Sequence, residues 1–270
     1  MNHDQMRQNL RITDLQRSLV DQQKVWRHIY VVEETGSTNA DLLARAANGK
    51  DIDGVVLLAE YQRAGRGRHG RSWSAPPRSQ IAMSVGINTS GVPSAAWGWL
   101  PLLTGVAVVD AVLEVCGITA GLKWPNDVLV GTGKLAGILA EVAAPEPVVV
   151  VGLGLNVTMT AEEAPDPVAT SLAMLGVDAP DRTILAQAVL EHLATRVAAW
   201  RSAGGADAAL KADYRSRSVT IGRRVRASLP GDRAVEGTAV DIDDLGRLQI
   251  DTGTEIFTVS AGDITHLRPV

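Results

Sequence analysis

The chain has 270 residues, 46% of them apolar and 21% charged, with a mean hydropathy of +0.06. That is an ordinary globular composition at a length that suits one large domain, or one large and one small, so low-complexity and fibrous classes are excluded. The net charge of −4 excludes a chain that is basic throughout, as bulk nucleic-acid binders are, and a single cysteine excludes an internal disulfide.

In chain order, the polar start MNHDQMRQNL has no signal-peptide core, and residues 1–26 read as an N-terminal extension with one short helix at ITDLQRSLV. RHIYVVEE at 27–34 alternates as a strand does. TGSTNADLLARAANGK follows as a helix capped by Ser37, Thr38 or Asn39 and stopping near Gly49. DGVVLLAEYQ (53–62) and IAMSVGIN (81–88) read as strands. AWGWLPLLTGVAVVDAVLEVCG (96–117) reads as a long, nearly all-apolar helix lying on the sheet, with Cys116 as a small buried apolar residue. LKWPNDVLV, KLAGILAEV and PVVVVGLGLNV are three strand candidates between Pro-Asn-Asp, Gly-Thr-Gly and Ala-Pro-Glu-Pro turns. The last is the longest apolar run and falls short of the ~20 residues of a bilayer span, so a soluble cytoplasmic protein without membrane contact is expected. Two helices follow at 179–200, capped by Asp181, and at 207–217. From residue 218 to 270 short apolar–polar alternations and the turns PGD, DDLG and TG predict a small SH3-like β-barrel. The expected class is α+β, with a main domain over 27–217 and the β unit over 218–270.

The chemistry concentrates in a few motifs. GRGRHGRSW (65–73) packs three arginines into three glycines. Glycine lets a backbone approach a phosphate closely, and arginine offers it paired donors. Trp73 adds a stacking surface. The other reading is a solvated basic loop or a nucleic-acid contact. No GxxxxGK[ST] phosphate loop is present. In KWPND, Asn126 and Asp127 either enter a site or cap their own turn. Lys134 opens an apolar strand, where it either neutralises an anion or reaches to solvent from the edge. Gly137 and the GLGLN glycines permit close approach of a ligand or a neighbouring backbone. Ser37 and Thr38 supply neutral hydrogen-bonding groups as well as caps. His28, His69, His192 and His266 read as surface or turn residues, and no Ser-His-Asp or Cys-His set is evident.

Taken in order, TGSTN, YQ-x-AGRGRxGR-x-W, KWPND, KLAGIL-x-E and G-x-GLN resemble the biotin protein ligase family, over roughly residues 30–175, and the tail resembles that family's SH3-like C-terminal domain. The resemblance implies a class II synthetase-like mixed sheet and a two-step reaction. Biotin's carboxylate attacks the α-phosphorus of ATP, with Mg²⁺, giving biotinyl-5′-AMP and pyrophosphate. A lysine of a biotin carboxyl carrier domain then takes the biotinyl group, and AMP leaves. It also implies roles. Ser37, Thr38, Asn39, Gln62, Gly65, Arg66, Gly67, Arg68, Lys134 and Gly137 would bind biotin. Arg66, Arg71, Trp73, Asn126, Asp127 and Asn156 would serve ATP and the adenylate, with Asp127 as a metal ligand. Lys134 and Arg68 would be catalytic. The arginine loop would order over the intermediate and exclude water.

Two departures follow. TGSTN begins at Thr35, too early for the helix-turn-helix domain of repressor members, so no repressor activity is expected. The segment TMTAEEAPDPVATSL after GLGLN has no aromatic residue where some members place a tryptophan near adenine. A monomer or weak homodimer is expected. The rival readings are a lipoate or octanoate ligase of the same superfamily and a non-catalytic nucleic-acid-binding protein.

Overall fold

A computed structural model describes residues 7–20, 25–144, 147–229, 233–260 and 263–266, the last four by backbone alone. The Pro-Glu pair at 145–146, the PGD turn at 230–232, the side chain of His266 and residues 1–6 and 21–24 of the N-terminal extension lie outside the described residues.

The main sheet has seven strands. They are β1 (His28–Thr35), β2 (Val55–Gln62), β3 (Gln80–Asn88), β4 (Gly121–Lys123), β5 (Asp127–Val130), β6 (Gly133–Ala143) and β7 (Val148–Asn156), in the spatial order β1-β2-β3-β7-β6-β5-β4. The β1–β2 pair is parallel and the others are antiparallel. Helix α1 (Ile12–Leu15), continued by one π-helical turn to Val20, leads into the sheet. Helix α2 (Thr38–Ala47) joins the parallel pair as a crossover must, with Ser37 Oγ accepting from Ala40 N at its start.

Alternate residues of one strand serve opposite faces. Val55, Leu57, Val148 and Val150 meet Leu42 and Ala46 of α2 in one cluster. Val56, Leu58, Val149 and Val151 join the larger core beneath α3 (Trp99–Cys116) and α4 (Arg182–Ala203). All nine residues of β7 are buried, which is why the strand reads as an unbroken apolar run. Helix α3 is apolar all round for the same reason. With its preceding turn it is long and apolar enough to cross a membrane, but 67% of that stretch is buried inside the fold. Cys116 ends α3 only half-buried, and burial pushes its thiol up.

One reading of the sequence is corrected. The stretch 122–130 is not one strand, because the turn at Trp124–Asn126, with a cis Trp124–Pro125 bond, splits it into the β4–β5 hairpin. The N-terminal extension packs on the body, with Leu10, Leu15, Leu19 and Trp26 buried in the main core.

After α5 (Ala208–Arg217), strands β8 (Arg224–Leu229), β9 (Arg233–Ile242), β10 (Leu248–Asp251), β11 (Ile256–Val259) and β12 (Asp263–His266) form an antiparallel sheet in the order β11-β10-β9-β8-β12. Its β9–β10 turn docks on two tryptophans of the main body. Trp99 Nε1 donates to Asp243 O and Asp244 O at 3.2 and 3.1 Å, and Trp124 Nε1 donates to Gly246 O at 3.0 Å. The α+β class with a small β unit agrees with the sequence expectation.

Candidate active site

The arginine–glycine stretch is a small hairpin. Trp73 N donates to Gly65 O at 2.8 Å, Arg66 bridges to Ser72, and Gly67 N donates to Arg71 O at 2.7 Å. At the tip His69 and Gly70 both have positive φ, 56° and 72°, as a tight two-residue turn requires. His69 is therefore the residue that turns the loop. A Cβ on Gly65 would meet the Trp73 carbonyl oxygen at 2.3 Å, so only glycine lets the two arms meet there.

This hairpin lies over a cavity of about 560 Å³ lined by β2, β3, β5, β6, β7 and the turns between them. The cavity wall includes Ser37, Thr38, Asn39, Gln62, Arg66, Gly67, Arg68, Arg71, Trp73, Asn126, Asp127, Lys134, Gly137 and Asn156. Only Gly65 of the candidates chosen from sequence stays outside it, spent on the hairpin closure just described. Five basic side chains (Arg66, Arg68, Arg71, Lys123, Lys134) face two acidic ones (Asp127, Asp166), so this is a local cationic site in an acidic chain.

Each loop arm is tied to the sheet. Arg66 Nη2 lies 3.2 Å from Glu141 Oε2, and Arg68 Nη1 donates to Asn126 Oδ1 at 3.3 Å. Asn126 Nδ2 in turn donates to Ile138 O at 3.0 Å. Lys134 Nζ is 2.7 Å from Asp127 Oδ1, which is buried and receives no aligned hydrogen bond. Lys134 Nζ also stands 5.5 Å from the Trp73 ring centroid. Asn156 spends its amide inward, its Nδ2 donating to Thr170 O at 2.9 Å, and so fixes the segment after β7 against the wall.

The space above Gly137 and Gly154, which pair in register, belongs to Trp73. A Cβ on Gly154 would sit 2.3 Å from its indole, and one on Gly137 2.9 Å from it. Trp73 Nε1 donates to the buried Gln80 Oε1 at 2.6 Å. The glycines thus seat a side chain of the protein itself.

The other end of the cavity is neutral. Thr38 N donates to Gln62 Oε1 at 2.9 Å, Thr38 Oγ1 lies 2.6 Å from Ser84 Oγ, and Ser84 Oγ donates to Asn39 Oδ1 at 2.6 Å. Asn39 Nδ2 continues to Glu141 Oε2 at 2.8 Å, the carboxylate that also holds Arg66. Sequence reasoning missed Ser84 and Gln80, and took Lys123, Glu141 and Asp166 only as positions in quoted motifs or segments. Lys123 opens KWPND and Asp166 lies in the stretch after GLGLN, whereas Ser84 and Gln80 carry no local signal.

Among the described residues no group of three His, Cys, Asp or Glu side chains converges as a metal site. Mg²⁺ keeps several waters and takes one or two carboxylates plus substrate phosphates. The Asp127 carboxylate, which faces the Lys134 ammonium through Oδ1, fits an ion that enters with a nucleotide and shares that charge. His28 is exposed on β1, and His192 Nε2 lies 2.7 Å from Glu114 Oε2 on the outer surface, remote from the cavity.

Known proteins resemble this chain in sequence and in fold. The biotin/lipoate A/B protein ligase family matches residues 33–157, and the biotin protein ligase C-terminal domain matches residues 220–267. The chain is 56% identical to a biotin–[acetyl-CoA-carboxylase] ligase of Mycobacterium tuberculosis over 98% of both chains. It is 33% identical to the bifunctional ligase/repressor BirA of Bacillus subtilis over 81% of this chain and 68% of that one. The biotin protein ligase of Aquifex aeolicus in complex with biotin and ATP superposes with a TM-score of 0.77 at 25% identity, covering 90% of this chain and 100% of that one. The chain belongs to the biotin protein ligase family.

Proposed function

We propose that the chain is an ATP-dependent biotin ligase, which forms biotinyl-5′-AMP and passes the biotinyl group to a lysine of a carboxyl carrier domain. The observation that carries this reading is the division of the cavity. One end offers neutral hydroxyls and amides (Ser37, Thr38, Gln62, with Ser84 behind them), and the other offers five cations around Lys134. A polar ureido ring suits the first, and a carboxylate meeting a triphosphate suits the second.

Biotin's carboxylate is itself the nucleophile, so no activated side chain is required. The barrier comes from bringing two anions together and from charge on the α-phosphate, which fixed cations offset. Lys134, Arg66 and Arg68 reach the carboxylate and α-phosphate, and Arg71 closes on the remaining phosphates. Asp127 would hold Mg²⁺, which adds positive charge to the phosphates when bound. Asn126 and Asn156 hold the nucleotide walls. Trp73, seated on Gly137 and Gly154, presents its free face to the adenylate. In the second step the carrier amine attacks the acyl carbon, the bond to AMP breaks, and the ammonium proton passes to solvent. Residues 27–217 carry this chemistry, with 218–270 as an SH3-like unit docked through Trp99 and Trp124. A cytoplasmic setting is supported by the single, half-buried cysteine and by the burial of the apolar helix α3 within the fold.

The test is biotin-dependent exchange of labelled pyrophosphate into ATP. Exchange with biotin and Mg²⁺ supports the reading. Exchange with lipoate or octanoate alone overturns it in favour of the sister activity. No exchange, with salt-dependent DNA binding, moves the arginine loop to nucleic acid.

A further inference from the structure

We propose that Arg7 is a positioning residue for the nucleotide side of the cavity, acting through the segment that follows β7; this rests on the biotin-ligase reading above. Residues 158–170 leave β7 and return beside β6, and Pro165, Asp166, Val168 and Ala169 of this segment line the cavity. None of its side chains is aromatic, and the lining is built of small residues with little packing area. The order of the stretch between the buried Met159 and Thr170 therefore depends on what holds its two ends.

The far end is pinned at the reacting lysine. Lys134 N donates to Val168 O at 2.6 Å and Thr170 N donates to Lys134 O at 3.0 Å. The near end is held by Thr158 N, which donates to Ser79 O at 2.8 Å, by the fully buried Met159, and by Arg7. Its Nε donates to Thr158 Oγ1 at 3.1 Å, and its Nη2 donates to Thr158 O at 3.0 Å and to Glu163 Oε2 at 2.5 Å. Glu163 Oε2 also accepts from Thr160 N at 2.9 Å, so one carboxylate gathers the turn and the arginine together. The Arg7 side chain is only 2% exposed, and an arginine is buried this far only when paired.

Arg7 is itself held from the opposite side. Gln8 O accepts from Arg182 Nη2 at 2.7 Å, Leu10 N donates to Glu60 Oε1 at 2.6 Å, and Arg11 N donates to Thr183 Oγ1 at 3.1 Å. The stretch Arg7–Arg11 is thus a strap from β2 and α4 to the wall of the cavity. Among the described residues, none of the hydrogen bonds given above for this stretch reaches Ser37, Thr38 or Gln62. Loosening it moves the nucleotide wall and leaves the biotin end in place.

The experiment is pyrophosphate exchange on the full chain, titrated separately in ATP and in biotin, for wild type, Arg7→Ala, Arg7→Lys and Glu163→Gln. The expected result is a KM for ATP raised about tenfold in Arg7→Ala, the scale of a lost charged hydrogen bond, with the KM for biotin held within about twofold. Arg7→Lys restores part of the loss, since it keeps the charge without the fork. Glu163→Gln, which removes only charge, gives the same selectivity should Arg7→Ala fail to fold. An unchanged KM for ATP in the folded variants, or equal rises for both substrates, overturns the proposal. Absence of biotin-dependent exchange in wild type overturns the biotin-ligase reading instead, and the two failures are read from different samples.

Discussion

The indole of Trp73 rests on Gly154 so closely that a methyl group at that position would lie 2.3 Å from two of its atoms. Both glycines beneath the ring sit in strands of the main sheet, where a backbone atom cannot retreat. Gly154→Ala is expected to lift the indole off the sheet and break its 2.6 Å bond to Gln80. Trp73 then tips into the space proposed above for the adenylate. Exchange activity falls and tryptophan emission shifts. Gly137→Ala is expected to do less, because its Cβ would lie 2.9 Å from the indole where that of Gly154 would lie 2.3 Å away. Wild-type exchange with unchanged emission in Gly154→Ala would show that the ring has no fixed seat.

Lys134 carries a second prediction. Its ammonium faces Asp127 across β5–β6, 2.7 Å away. Lys134→Ala removes a cation from the reacting anions and also leaves a carboxylate uncompensated beside them. Exchange is expected to drop by about 10²–10³, the scale of losing one preorganised charge-stabilising group. Asp127→Asn retains the lysine and is expected to cost less at saturating Mg²⁺ but to raise the Mg²⁺ requirement. Assays over a Mg²⁺ series separate the two. Equal losses at every concentration would remove Asp127 from the metal's surroundings.

Ser84 sits in the middle of β3 with nothing in the sequence to mark it, yet it joins Thr38 to Asn39. Ser84→Ala leaves Asn39 Oδ1 short of a donor in a buried place, a cost of about 1–3 kcal/mol. The chain from Gln62 to Arg66 is then interrupted at its centre. We expect biotin affinity to fall with the KM for ATP nearly unchanged, which calorimetry and exchange kinetics resolve. A rise confined to ATP would place the hydroxyl in the other half of the site.

What was legible in the sequence follows from which signals are local. Apolar runs betray β7 and α3 because both are covered on all sides, and Ser37 and Asp181 betray helix starts because caps act over three residues. The arginines of GRGRHGRSW mark a cationic stretch by density alone, and all three line the cavity. The hairpin form of that loop was not legible, because it depends on the pairs Gly65–Trp73 and Gly67–Arg71 and on a left-handed His69. The seat of Trp73 was hidden for a different reason. It joins positions 73, 137 and 154, which no periodicity connects. Ser84 and Glu60 stand within apolar strands and Gln80 begins one, and only the partner brought up by the fold gives each a purpose.

Glu60 supplies the last prediction. Its carboxylate meets Arg182 Nη2 at 2.6 Å with the two side chains 2% and 4% exposed. Burial pulls the Arg182 guanidinium down from its ordinary value, and the Glu60 charge opposes that pull. A buried pair of this kind contributes little net stability against an apolar replacement, but removing one member leaves the other stranded, at about 3–5 kcal/mol. Arg182→Met is therefore expected to destabilise the fold by about that amount in denaturant titration. The apolar double replacement Glu60→Leu with Arg182→Met should recover only part of the loss. Leu10 N bonds to Glu60, and Gln8 O and Gln80 O bond to Arg182, so three backbone groups would lose their partners as well. Full recovery in the double variant would mean that the pair serves charge balance alone and does not fasten the N-terminal strand of chain to the body.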